Sequence, residues 1–203
     1  MTDVRLREVE RETAQGLPGA RARLLREHVR TGAMDVGRLE LAAWLGDEDA
    51  RLALGEAHYE GFAADLRGAT RQEVGSARTD GADLVAWVLG LERWGRQACV
   101  RAAIAAVRVG LDAEPHLSEG TLHAAREGLE AAEAWARCPC DAHARAGRGP
   151  WADALWGATS TRSPEPRGAV IAAVRAAGWA ARAASPARVR EALRAELLAW
   201  ALL

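Results

Sequence analysis

The chain has 203 residues, enough for one well-buried core or two small subdomains, so folding requires neither a disulfide nor a metal. Its 27 basic and 28 acidic residues leave a formal net charge of -1, which excludes a general attraction to phosphate backbones; no nucleic-acid partner is expected. No run approaches the roughly 18 apolar residues of a membrane span, and "MTDVRLREVERET" lacks the apolar stretch of a secretory signal, so no membrane partner is expected and the cytoplasm is the expected compartment.

All the basic residues are Arg, and neither Lys nor Asn occurs, a bias that fits a GC-rich genome because both missing residues use A-rich codons. Ala, Leu and Arg, all strong helix formers, dominate, while the β-branched and aromatic residues that favour strands are sparse. The expected class is all-α, a multi-helix bundle or irregular helical array of about eight to eleven helices with no sheet.

In chain order, Asp3 is placed to cap a helix carrying Val4, Leu6 and Val9, and Gly16 and Pro18 end it and start "PGARARLLREHV", which stops at Thr31-Gly32. Asp35 caps a helix holding Leu39, Leu41, Trp44 and Leu45. In "DEDARLALG" three acids meet the positive end of the next helix dipole, with Leu52 and Leu54 as its apolar residues. Residues 1–55 thus read as N-terminal helical hairpins. The Gly-rich, polar stretch 56–80 reads as an irregular connector, a loop or weak helix, and 81–203 as the main Ala- and Trp-rich bundle, continuous with the rest or separate from it.

That bundle opens with the strongest periodic stripe, Leu84, Trp87, Val88, Leu91 and Trp94, continued by Val100, Ile104, Val107 and Leu111. Gly90 and Gly95 interrupt it and leave two readings, one long helix or two joined at a bend. Ser118 caps a helix with Leu122, Ala125, Leu129, Ala132 and Trp135 on one face, which Pro139 ends. Trp151 to about Thr159 reads as a short helix and "STRSPEPRG" as a linker. Val170, Ile171 and Val174 open a helix running through Trp179, and after Ser185-Pro186 the residues Val189, Leu193, Leu197 and Trp200 form the last stripe.

The motif with the most chemistry is Cys138-Pro139-Cys140. With His143, and with His123 or Cys99 as a fourth donor, it suggests zinc, but zinc sites ordinarily carry paired C-x2-4-C knuckles and only one C-x-C is present. A redox reading needs a thiolate favoured by a helix start. The plainest reading is a prolyl corner between helices with small thiols packed into it, and no metal or cofactor is assigned. No nucleophile elbow, Gly-rich phosphate loop or Walker motif occurs, so no catalytic residue is assigned either.

Charge is uneven: Asp112, Glu114, Glu119, Glu127, Glu130 and Glu133 share their segment with one Arg126, whereas the chain after Arg162 is Arg-rich. Glu119, Glu127, Glu130 and Glu133 are the candidate partner-binding residues, a patch able to steer a basic protein.

"WGRQACVRAAIAAVR", "AREGLEAAEAWARC" and "AVIAAVRAAGWAARAA", within residues 84–184, together resemble the Ala- and Trp-rich helical domains of immunity-type proteins of GC-rich bacteria such as myxobacteria and actinobacteria. The resemblance implies an α-helical, non-catalytic protein that neutralises a partner toxin by binding it, and it implies no catalytic residues. "LAAWLGDEDARLALG" is similar to the turn between helices of HEAT-like repeats, which implies an adaptor with a groove along residues 18–55.

Overall fold

The computed structural model describes residues 2–74, 80–114, 116–140 and 166–203. These form ten α-helices: α1 (Thr2–Ala14), α2 (Ala20–Thr31), α3 (Val36–Trp44), α4 (Glu48–Leu54), α5 (Glu56–Val74), α6 (Asp80–Leu89), α7 (Gly95–Ala113), α8 (Glu119–Arg137), α9 (Pro166–Ala183) and α10 (Pro186–Ala201). One 3-10 turn, Gly90–Trp94, joins α6 to α7, and no strand occurs among the described residues. The all-α class expected from composition is the observed one. The expected helix at Trp151 lies outside the described residues.

Two compact units divide the chain, residues 1–67 with 197–203, and residues 68–196. In the first, α1 packs on α2, and α4 packs on both α2 and α3. Asp35 and Asp47 start α3 and α4 by accepting hydrogen bonds from the amides of Gly37 (2.7 Å) and Ala50 (2.8 Å). Leu25, Leu39, Leu41 and Leu45 supply the bulk of this core. On α4 one of the two expected apolar residues does not face inward: Leu52 is 58% exposed, whereas Ala50 and Ala53 are buried. Small residues let α4 lie close to both neighbours, so the alanines form its packing face.

The stretch expected to be an irregular connector is helical as α5 up to Val74; residues 75–79 lie outside the described ones. Its beginning belongs to the first unit. Phe62 and Ala63 are buried, His58 Nε2 is 2.7 Å from Glu40 Oε1, and the Arg51 guanidinium lies 4.7 Å from the Tyr59 ring centre. Those contacts outweigh a glycine inside the helix, Gly61, which costs about 1 kcal/mol. Residues 197–203 also group with the first unit rather than with the main bundle: Leu197 and Ala201 are buried, and Arg38 stacks on the Trp200 ring at 5.2 Å.

The second unit is built on α7. Ala98 through Val100, Ala102 through Val107, Val109 and Gly110 are all buried, so apolar surface covers nearly the whole circumference of the helix. α8, α9 and the 3-10 turn cover it, while α9 also packs on α6. Of the two readings left open at Gly90 and Gly95, the bend is observed: Gly95 takes φ 80°, a left-handed conformation that redirects the chain from the 3-10 turn into α7. α9 meets α7 at Gly110, where the Trp179 ring occupies the place a side chain would take. On α9, Val170 faces the core but Ile171 does not, being 45% exposed.

Candidate functional site

α8 carries most of the residues singled out from sequence. Ser118 starts it, its hydroxyl accepting from the Thr121 amide at 3.3 Å. Ala125, Gly128, Ala132, Trp135 and Ala136 form its buried face. Glu119, Glu127 and Glu130 lie on the opposite face and are exposed, as are His123, Arg126 and Arg137. Spacings of eight and three bring the three carboxylates onto one side of the helix. Among the described residues neither Glu119 nor Glu130 enters an ion pair, while Glu127 lies 3.4 Å from His123 Nε2.

Glu133 has a different position. It is half-buried, and its Oε1 accepts from Arg108 Nη2 of α7 at 2.8 Å. Arg108 Nη1 also reaches Glu196 Oε2 of α10 at 3.3 Å, and Glu196 Oε1 accepts from Arg101 Nη1 at 2.9 Å. Arg101 Nη2 (3.1 Å) and Gln97 Nε2 (2.8 Å) both donate to the Ala136 carbonyl, one of the last carbonyls of α8. Gln97, Arg101 and Arg108 therefore form a polar line along an otherwise apolar helix, tying the end of α8 and Glu196 to α7. The charge of Arg101 meets the negative end of the α8 dipole, a favourable placement.

These three residues were not among the candidates from sequence. Their spacing of four and seven puts them on one face of "QACVRAAIAAVR", the signal that could have revealed them. Beside them, Arg96 lies over the Trp135 ring at 5.1 Å, and burial lowers the pKa of its guanidinium. Cys99 is fully buried, and desolvation, with the charge of Glu92 adding to it, pushes its thiol up to about 12.

At the foot of α8 the Cys138 amide donates to the Ala134 carbonyl at 3.0 Å, and the Cys140 amide donates to the Cys138 carbonyl at 2.8 Å. This closes a three-residue turn with Pro139 at its centre. Both cysteines are thiols, Cys138 exposed and Cys140 half-buried. The expectation that small thiols pack into the corner therefore fails for Cys138. Among the described residues, His123 and Cys99 do not come together with Cys138 and Cys140 as donors for a metal. His123 stands fifteen residues before Cys138, about 22 Å along the helix, and Cys99 lies in the core of α7. His143 lies outside the described residues. Among the described residues no group of three or more His, Cys, Asp or Glu is arranged to hold a metal ion.

No protein-family model, curated protein or solved structure matches this chain. No helix among the described residues is long and apolar enough to cross a membrane.

Proposed function

We propose that the chain is a non-catalytic cytoplasmic interaction module of immunity or antitoxin type, which neutralises a basic protein partner by covering it with the exposed face of α8. The observation that carries this reading is the position of Glu119, Glu127 and Glu130, which share the side of α8 opposite its buried face. Glu119 and Glu130 enter no ion pair among the described residues and Glu127 only one with His123, so their field is available to an approaching partner, and such fields raise association rates as well as specificity. Glu133 contributes less to that field, because Arg108 neutralises it within the fold. A rigid helix held at both ends, by the Ser118 cap and by Gln97 and Arg101, presents the acids with little ordering left to do on binding.

The test is capture of partners from the source cell by the wild-type chain and by the double variant Glu127→Arg, Glu130→Arg. The expected result is a basic partner captured by the wild type and weakened at least about tenfold in the variant, a loss of about 1.4 kcal/mol or more. Capture by the wild type should also fall as salt rises. Equal capture by both proteins would rule out this face as the interface.

A further inference from the structure

Cys138 and Cys140 play no part in the interface proposed above, and their arrangement is chemically specific. Two residues separated by one other have Cα atoms at most about 7 Å apart, and a closed three-residue turn shortens that distance into the range a disulfide needs. The 2.8 Å bond from the Cys140 amide to the Cys138 carbonyl is that closure. Both thiols sit at a helix end that solvent reaches, Cys138 exposed and Cys140 half-buried. A structural cysteine lacks that access, as Cys99 in the core of α7 illustrates.

We propose that Cys138 and Cys140 are a reversible dithiol–disulfide couple, closed by exchange with a low-molecular-weight disulfide. Hydrogen bonding and charge from Cys140 raise the pKa of Cys138, as expected of two thiols that titrate as a pair. Either cysteine can supply the first thiolate, for instance Cys140. It attacks one sulfur of the external disulfide, whose S–S bond breaks and releases one small thiolate, leaving a mixed disulfide on Cys140. Cys138 then gives its proton to solvent and attacks the Cys140 sulfur, and the second small thiolate departs. Two protein thiols are oxidised and one external disulfide is reduced to two thiols. An exposed disulfide in so small a ring is easily reduced again, which suits a switch better than a structural bridge.

The experiment equilibrates the reduced full chain with oxidised glutathione, quenches in acid, alkylates under denaturing conditions and maps the products by mass. The chain has three cysteines, and the expected count of alkylatable ones falls to one, with the peptide holding Cys138 and Cys140 lighter by two hydrogens and restored by dithiothreitol. Cys138→Ser and Cys140→Ser each leave one partner unable to close, so a stable glutathione adduct should accumulate on the remaining cysteine of the pair. The proposal is overturned if the wild type accumulates the same open adduct, links only to a second copy, or keeps all three thiols. The wild-type result decides the matter whether or not the serine variants fold.

Discussion

Trp179 of α9 rests on Gly110 of α7 so closely that a Cβ on the glycine would stand 2.1 Å from ring carbon Cζ3. That contact sets the spacing of the two helices, because no larger residue fits between the indole and the α7 backbone. Gly110→Ala should destabilise the chain by about 1–3 kcal/mol through overpacking. In a Trp179→Leu background the same change should cost less than about 1 kcal/mol, since the obstructing ring is gone. Urea midpoints of the four proteins form the cycle, and equal costs in both backgrounds would contradict the account.

Glu133 and its exposed neighbours should separate by stability. Glu133→Lys places a cation against Arg108, where a carboxylate now pairs at 2.8 Å, and should cost about 1–2 kcal/mol. Glu127→Lys or Glu130→Lys, on the open side of the same helix, should stay within about 0.5 kcal/mol of wild type. Thermal unfolding of the three variants is sufficient to check this.

The buried carboxylate of Glu27 makes stability depend on pH. It lies 2.6 Å from Arg30 and 3.0 Å from Arg5, and the hydrogen bond from Arg30, with the charges of Arg30 and Arg5, holds its pKa below the ordinary 4.5. A carboxyl with a lowered folded pKa contributes stability that is fully present above its unfolded value and is lost as pH falls through the folded value. Wild type should therefore exceed Glu27→Gln in urea midpoint at pH 7, and the gap should narrow once pH drops below 4.5. A constant gap down to strongly acid pH would assign the effect to packing.

Cys99 should be inert in the native state. With its thiol raised to about 12, the thiolate fraction at pH 8 is about one in ten thousand, and the side chain is also enclosed. Native alkylation should label Cys138 and Cys140 long before Cys99, and Cys99 should react only at the rate of unfolding. Comparable labelling of all three thiols would overturn the buried assignment.

Much of the architecture could be read in advance where one residue acts locally. Asp35 and Ser118 cap the helices expected of them, and Pro139 ends α8, because a cap or a missing amide works within one turn of chain. Inward faces of Ala-rich helices were harder to read. Periodicity favours the larger side chain, yet α4 turns Ala50 and Ala53 inward and leaves Leu52 in solvent, since the available gap is set by α2 and α3. The same limit hid the role of Glu133: its partner Arg108 is 25 residues away on another helix, and charge in a sequence window does not reveal which acids the fold itself uses.

α7 has apolar surface on nearly every side, and the segments that cover it come both before and after it in the chain. During synthesis the 3-10 turn is available when α7 emerges, and α8 follows directly. α9, which holds Trp179 against Gly110, leaves the ribosome only after residues 138–165 have been made. Until then one flank of α7 has no native cover, so nascent chains stalled before Pro166 should bind holdase chaperones and those released after Ala183 should not.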